Sequence, residues 1–244
     1  TPVLYIATDE KERERESDIE KGRELRRIVE TSELWSSMLI RPFDLPPGLE
    51  LMMGDICGGS SSTSMAKKVL KWRERESEEV KNIWIGLADT NKKIATELAQ
   101  LSALAHCDLS QYLSSLSDAA RVSASRWSTL LTGDKDMMRY RVLSSLISLH
   151  QLFSKARSLL KLMGISADTD IEPDAQTQLA DATQELAGVL VSGVPGAGGE
   201  DAIFAIIISE SAREMVERLW GGWNERYGRE VCPLLLRERR AGIR

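Results

Sequence analysis

The sequence has few of the residues from which metal sites and disulfide frameworks are built. Its 244 residues include two histidines, His106 and His150, and three cysteines. The cysteines are odd in number and form no Cys-x-x-Cys pair, so we expect neither a disulfide framework nor a redox pair, and a reducing, cytoplasmic compartment is predicted. Without clustered Cys and His ligands no metal site is expected.

Long apolar runs and an excess of positive charge are also missing. The longest apolar run, Ala202–Ile208, is far shorter than the roughly 20 residues that a membrane-spanning helix needs. The chain has 32 Lys and Arg against 37 Asp and Glu, a formal net charge of −5, so no face collects the basic surplus that binds phosphate backbones. These absences predict no membrane span and no nucleic-acid partner.

The first part of the chain differs from the rest in its charge density. Nearly every residue from Asp9 to Glu30 is charged, and opposite charges recur three positions apart, as in Glu12 and Arg15. This spacing predicts a solvated helix. We therefore assign residues 1–36 to a charged helical lead-in and residues 37–244 to the folded domain. Because the chain begins at Thr1 and not at methionine, an upstream segment is expected.

The folded domain is predicted to be α+β. Short apolar segments predict strands at about 38–41, 49–54, 187–193, 202–208 and 230–236, the first two joined by a Pro-Pro-Gly turn. Apolar residues recur at three and four between Met65 and Met163, which predicts helices. Asp89 is the only hint of a break between Lys67 and Ala105, and a Gly133-Asp134 turn is predicted between Leu130 and Asp136. Gly164 is predicted to end the last helix as a C-cap. The interpretation is an antiparallel sheet covered on one face by long helices.

Two glycine-rich loops are the main candidates for a binding site. One runs from Gly54 to Thr63 and opens a helix; the other, GVPGAGGED at Gly193–Asp201, joins two predicted strands. Small residues let the backbone approach a ligand closely, and a helix N-terminus favours an anion.

Several motifs resemble, in order along the chain, the C-terminal half of eukaryotic-type phosphomevalonate kinases of the GHMP superfamily. The resemblance implies a ferredoxin-like GHMP C-terminal domain over residues 37–244, with a helical insertion at about 84–163. The matching segments are LPPGLELMMGDICGGS at Leu45–Ser60, KKVLKW at Lys67–Trp72, IEPDAQTQLAD at Ile171–Asp181, GVPGAGGEDAIF at Gly193–Phe204 and RERRAGIR at Arg237–Arg244.

The resemblance also implies a binding site for a small-molecule substrate and indicates which residues form it. Ser60 and Ser62 correspond to the acceptor loop, although Ser62 stands where the family has Thr, and Gly196, Gly198 and Gly199 belong to the third motif; all five are predicted to bind substrate. Asp55 and these loops are expected to line one cavity. If the chain is a repurposed enzyme, a carboxylic acid must supply the proton, because His and Cys are scarce. The catalytic candidates are then Glu200, which departs from the family pattern, Asp201 and Asp55.

This sequence lacks the segments that form the family's ATP-binding half. They are a strand that begins with a lysine, the phosphate-binding loop and the region of the catalytic aspartate. We therefore expect no ATP-dependent kinase activity from this polypeptide by itself, and no cofactor, with ATP and Mg²⁺ needed only if a complementary kinase half is present. Three hypotheses remain. The first is a repurposed acid-assisted cyclase or isomerase of a terpenoid-like molecule, the second a fragment or split half of a phosphomevalonate kinase, and the third a non-catalytic binding module. Without the ATP-binding half, the apolar surface that faces it in the family would be exposed. Such a surface favours a homodimer or a hydrophobic ligand.

Overall fold

The structure is a computed structural model that describes residues 22–23, 26–27, 30–31, 43–56, 62–75, 77–131, 136–196, 198–224, 228 and 230–234. The chain divides into two compact units, residues 1–43 and 44–244. In the first unit the described residues are mostly helical, and Arg26 Nε contacts Glu30 Oε1 at 2.8 Å, four residues further on. That contact has the spacing of the ion pairs that stabilise solvated helices.

The second unit is built on a four-stranded antiparallel sheet. Its strands are β1 (Glu50–Ile56), β2 (Val189–Gly193), β3 (Ala202–Ile207) and β4 (Val231–Leu234). Their order across the sheet is β2-β3-β1-β4, with Met52 opposite Ala205 and Gly54 opposite Pro233. Four of the five predicted strands are therefore present. The fifth, at 38–41, lies outside the described residues.

Six α-helices and one 3-10 helix accompany the strands in the described part of the second unit. They are α1 (Ser62–Arg73), α2 (Glu78–Cys107), α3 (Leu109–Ala119), the 3-10 helix (Ala124–Leu131), α4 (Met137–Ser166), α5 (Asp174–Gln184) and α6 (Glu210–Gly221).

One predicted break between helices is confirmed and another is not. The turn predicted between Leu130 and Asp136 falls where the 3-10 helix ends at Leu131 and α4 begins at Met137, with Gly133 and Asp134 outside the described residues. Asp89 lies in the middle of α2 and contacts Lys93 at 2.8 Å, so the predicted hint of a break there is wrong. Short polar caps define the real breaks. The Ser77 hydroxyl accepts the Val80 N–H at 3.3 Å, and Asp108 Oδ1 accepts the Gln111 N–H at 2.9 Å.

The prediction that Gly164 caps the last helix is also wrong. Gly164 lies inside α4, which continues to Ser166, and the left-handed residue beyond the end is Asp168 at φ 52°. A Cβ on Gly164 would come within 2.7 Å of the Thr169 carbonyl oxygen. Glycine is therefore needed here because the returning chain passes close by, and not because the helix stops.

Both faces of the sheet are covered, which corrects the expectation of helices on one face only. The long helices α2 and α4 pack with α3 and the 3-10 helix over one face, in a core that includes Leu104, Trp127, Leu146, Leu190 and Ile206. The other face packs against α5 and α6, in a core that includes Leu179, Val189, Ala205, Val216 and Trp220. Since consecutive residues of a strand point to opposite faces, Ile206 and Ile207 belong to different cores. The α+β class is confirmed.

Candidate functional site

A cleft of about 450 Å³ opens beside the end of the sheet where β3 begins. Three segments form its walls: the first turns of α1, the turn that follows α4, and the glycine loop before β3. The lining residues are Ser64, Met65, Lys68, Gly164, Ile165, Asp168, Thr169, Asp170, Pro173, Gly199 and Glu200. The volume lies in the range of roughly 300–1,000 Å³ that small-molecule sites occupy.

Helix α1 presents its N-terminal turn to this cleft. Ser64 and Met65 lie in that turn, and Lys68 follows Ser64 by four residues, so both lie on the same side of the helix. The helix is anchored at its other end by Trp72, which is 2% exposed in a cluster with Val80 and Met163. The positive end of the α1 dipole is therefore held at the cleft, where it favours a negatively charged group.

The turn after α4 is joined to α1 by one side chain. The Lys68 ammonium donates to the Asp168 carbonyl oxygen and lies 3.6 Å from the Asp168 carboxylate. Asp168 is the one non-glycine residue at positive φ among the described residues, and such residues often occur at functional sites. Because both side chains are largely exposed, this ion pair is weak and open to competition.

The glycine loop is packed against the start of α5. Gly198 and Gly199 are buried at φ 82° and 102°, and the Gly199 N–H donates to the Ile171 carbonyl oxygen at 2.9 Å. A Cβ on Gly198 would stand 2.2 Å from that same oxygen, so no larger residue fits. The Gln176 side-chain amide donates to the Glu200 carbonyl oxygen at 3.0 Å. The loop is thus held in place at two points.

A buried ion pair lies behind this contact. Arg157 Nε lies 2.9 and 2.8 Å from the two carboxylate oxygens of Glu172, whose side chain is 2% exposed. Arg157 Nη1 also contacts Asp181 at 2.6 Å. Burial by itself would lower the pKa of Arg157, but hydrogen bonds and charges from Glu172 and Asp181 outweigh it, so the pKa is raised above its usual value. The guanidinium is therefore permanently charged.

The predicted site residues fall into two groups. Gly199 and Glu200 line the cleft, and Gly198 lies directly behind its wall. Asp55 and Asp201 lie together at the same end of the sheet. Asp55 is on β1, opposite Ala202 of β3, and the Asp201 carbonyl oxygen accepts the Ile56 N–H at 3.0 Å. Neither is among the described residues that line the cleft. Gly196 is exposed on the loop with nothing within 4 Å of a Cβ, Ser62 is the first residue of α1, and Ser60 lies outside the described residues.

Sequence reasoning missed the side chains of α1 and of the turn after α4. Lys68 belongs to the quoted KKVLKW segment, and its spacing from Ser64 was a usable signal. Asp168, Thr169 and Asp170 follow a helix whose end was misplaced, so nothing in the local pattern marked them.

Two kinds of feature are absent from the described part of the chain. No group of three or more His, Cys, Asp or Glu residues is placed there to hold a metal ion. None of the helices described there has both the length and the apolar character needed to cross a bilayer.

A glycine loop that faces a helix N-terminus across a small cleft, on an antiparallel sheet with helices on both faces, characterises this α+β domain. A crystal structure of a Lin0012 protein from Listeria innocua is similar to it, with a TM-score of 0.52 and 15% identity over 84% of this chain and 46% of that one. This likeness bears on the fold alone.

No family model matches the chain. The peroxisomal phosphomevalonate kinase of Arabidopsis thaliana is 35% identical over 202 residues, which are 82% of this chain and 38% of that enzyme. The phosphomevalonate kinase of Candida albicans is 29% identical over 194 residues, 79% of this chain and 38% of that enzyme. The chain thus spans less than half the length of these relatives. It is a homologue of the phosphomevalonate kinases of the GHMP superfamily, as its motifs predicted.

Proposed function

We propose that this chain supplies the acceptor-binding part of a phosphotransferase of the phosphomevalonate kinase type, and that the cleft holds the phosphorylated small-molecule acceptor. One observation carries the proposal. In a chain whose relatives are named phosphomevalonate kinase, two of the shared motifs face each other across a single cleft: the helix that carries Lys68 and the loop that carries Gly199.

The donors around the cleft fit the terminal phosphate of such an acceptor. Ser64 and Thr169 bring hydroxyl groups, Lys68 an ammonium, and the first turn of α1 the positive end of a helix dipole. Hydrogen bonds from charged donors to phosphate oxygens are about twice as strong as neutral ones. Lys68 is therefore the residue that we expect to contribute most to affinity.

Acidic residues set a condition on this binding. Asp168, Asp170 and Glu200 also line the cleft, and three carboxylates beside one ammonium repel a bare dianion. The ammonium of Lys68 must accordingly exchange its contact with Asp168 for one with the phosphate. Because the present ion pair is exposed, that exchange costs little.

Phosphoryl transfer also needs a nucleotide and Mg²⁺. The sequence contains none of the motifs that the family uses for ATP, so we propose that transfer requires an ATP-binding part in addition to these 244 residues. Phosphoryl transfer depends mainly on positioning and charge neutralisation, and this chain would supply the acceptor side of both. The cytoplasmic location and the homodimer stay predictions.

The hypothesis of a repurposed cyclase or isomerase has no support among the relatives, whose names favour a kinase. Glu200 does line the cleft, as that hypothesis requires. The two hypotheses predict different ligands: an anionic phosphorylated acceptor for the kinase, and a neutral apolar molecule for the cyclase.

Isothermal titration calorimetry on the 244-residue chain tests the proposal with three probes: 5-phosphomevalonate, ATP with Mg²⁺, and a neutral terpenoid alcohol. We expect binding of phosphomevalonate alone. Lys68→Met should weaken it by about 10- to 100-fold, the value of one lost charge-assisted hydrogen bond.

Lys93→Met is the matched control, because Lys93 pairs with Asp89 on α2 and does not line the cleft. It should leave the affinity unchanged. Equal affinity in the Lys68 and Lys93 variants would contradict the assignment of the cleft, and preference for the terpenoid alcohol would contradict the kinase interpretation.

A further inference from the structure

The ion pair between Arg157 and Glu172 lies next to the cleft without lining it. We propose that these two are positioning residues, which fix the segment Ile171–Thr177 and, through it, hold Gly199 and Glu200 in the wall of the cleft. The inference rests on the proposed function only for the identity of the ligand.

The pair is closely matched in geometry. Besides the two contacts of Arg157 Nε, Nη2 lies 2.7 Å from Glu172 Oε1, so the guanidinium and the carboxylate meet through several nearly parallel hydrogen bonds. The Thr177 hydroxyl donates to the same Oε1 at 3.0 Å. The Arg157 side chain is only 15% exposed. A buried, well-bonded pair of this kind is rigid, and loss of one partner leaves a charge stranded in the interior.

One guanidinium therefore joins two helices and the segment between them. Arg157 is part of α4. Its partners are Glu172, which lies before α5, and two residues of α5, with the Thr177 carbonyl oxygen at 3.2 Å and the Asp181 carboxylate at 2.6 Å. The beginning of α5 is thus fixed in position and direction relative to α4, which also carries the Gly164 and Ile165 side of the cleft.

The same segment holds the glycine loop on either side of Glu172. Ile171, immediately before it, accepts the Gly199 N–H, and Gln176, four residues after it, donates to the Glu200 carbonyl oxygen. A Cβ at Gly198 would lie 2.2 Å from the Ile171 carbonyl oxygen, so the loop backbone passes close to Ile171, and a displacement of Ile171 towards the loop would displace it. The path from Arg157 to the wall of the cleft consists of direct contacts throughout.

Conservative substitutions are the right perturbation, because complete removal of either partner threatens the fold. Glu172→Gln keeps the shape of the side chain, but it removes the charge and turns an NH₂ group towards the donors of Arg157. Arg157→Lys keeps the charge and removes the fork-like geometry. Both variants should loosen Ile171 without emptying the core.

The first readout is amide hydrogen exchange of Gly199 in the whole chain, compared with that of Ile206 in the centre of β3. Global destabilisation speeds both amides, whereas loss of positioning speeds Gly199 selectively. We expect Glu172→Gln to increase Gly199 exchange relative to Ile206 by about tenfold or more, and Arg157→Lys to act in the same direction.

Arg139→Lys is the control, because Arg139 is also on α4 and pairs with Asp118 at 3.2 Å, with both side chains partly buried. It should leave the ratio of the two exchange rates unchanged. An unchanged ratio in Glu172→Gln, or an equal change in Arg139→Lys, would overturn the proposal.

The second readout is calorimetric affinity for 5-phosphomevalonate at a temperature where all variants are folded. Glu172→Gln should weaken binding by about tenfold while Arg139→Lys does not. If the unmodified chain binds and Glu172→Gln binds equally well, the positioning role is wrong. If the unmodified chain does not bind phosphomevalonate but Gly199 exchange responds as expected, the proposed function fails and the positioning of the loop stands.

Discussion

The contact between Gly198 and Ile171 offers the sharpest test of how the cleft is built. A methyl group at Gly198 meets three costs. A side chain at φ 82° is strained by roughly 1–2 kcal/mol, and a Cβ 2.2 Å from the Ile171 oxygen forces a backbone shift, for which overpacking costs of about 1–3 kcal/mol are typical. That shift also breaks the bond from the Gly199 N–H to Ile171, worth about 1 kcal/mol. We expect Gly198→Ala to lower the free energy of unfolding by about 4 kcal/mol in total.

Urea unfolding followed by tryptophan fluorescence measures this loss, and Gly196→Ala is the matched control. Gly196 has φ 64° in the same loop, but no described neighbour lies within 4 Å of a Cβ placed there, so it meets only the first cost, roughly 1–2 kcal/mol. The difference between the two variants therefore isolates the close packing of the loop on Ile171. If Gly198→Ala were no more destabilising than Gly196→Ala, the described contact between the glycine loop and Ile171 would be refuted.

Two further predictions concern buried polar groups. Burial raises the pKa of Tyr112 above its usual value of 10.0. The unfolded chain therefore loses this proton near pH 10, and the folded chain loses it only at higher pH. The contribution of Tyr112 to the free energy of unfolding should be constant below pH 10 and should fall above it. Tyr112→Phe should be at least as stable at pH 8, because the buried hydroxyl has no hydrogen-bond partner among the described residues. Between pH 9 and 11 the variant should lose less stability than the unmodified chain in urea titrations, and an identical decline would contradict the assignment. The Trp220 indole N–H of α6 donates to Thr183 Oγ1 of α5 at 3.0 Å. Thr183→Val leaves this buried N–H without its acceptor and should lower the free energy of unfolding by about 1–3 kcal/mol. Thr96→Val, whose hydroxyl bonds only within an exposed turn of α2, should cost far less, and equal losses would contradict the role of the Trp220 bond.

The strands and the glycine loop could be predicted because their signals are local. Short apolar segments bounded by turn residues place β1 and β3, and the run of glycines before Asp201 marks the loop between β2 and β3. The reason for those glycines was not local. Gly198 is fixed by a contact with Ile171, 27 positions earlier in the sequence, which no window of sequence reveals.

The rest of the site depends on pairs that only the fold brings together. Lys68 meets Asp168 across 100 residues, and Arg157 meets Glu172 across 15. Spacing along one helix cannot predict such pairs. The end of α4 was misplaced for a related reason, since Gly164 looks like a cap until the chain that returns past it is known.

The helix breaks at Ser77 and Asp108 were also missed, because apolar spacing does not reveal capping residues. Ser77 and Asp108 cap helices with single hydrogen bonds, and neither interrupts the apolar spacing strongly enough to be seen. Asp89 interrupts the apolar spacing more visibly, but it lies on the solvent-facing side of α2. There its ion pair with Lys93, four residues further on, is compatible with a continuous helix.

The most direct test of the central claim is an amide chemical-shift titration of the ¹⁵N-labelled chain with 5-phosphomevalonate. The proposal predicts that the largest changes fall on the cleft, at Ser64, Met65, Lys68, Thr169, Gly199 and Glu200, and that ATP with Mg²⁺ leaves these amides unchanged. The smaller pocket between α3 and α6, lined by Leu113, Leu116 and Ser209 among others, serves as the internal reference and should not respond. Shifts concentrated in that pocket, or none at saturating phosphomevalonate, would contradict the claim that this cleft binds a phosphorylated acceptor.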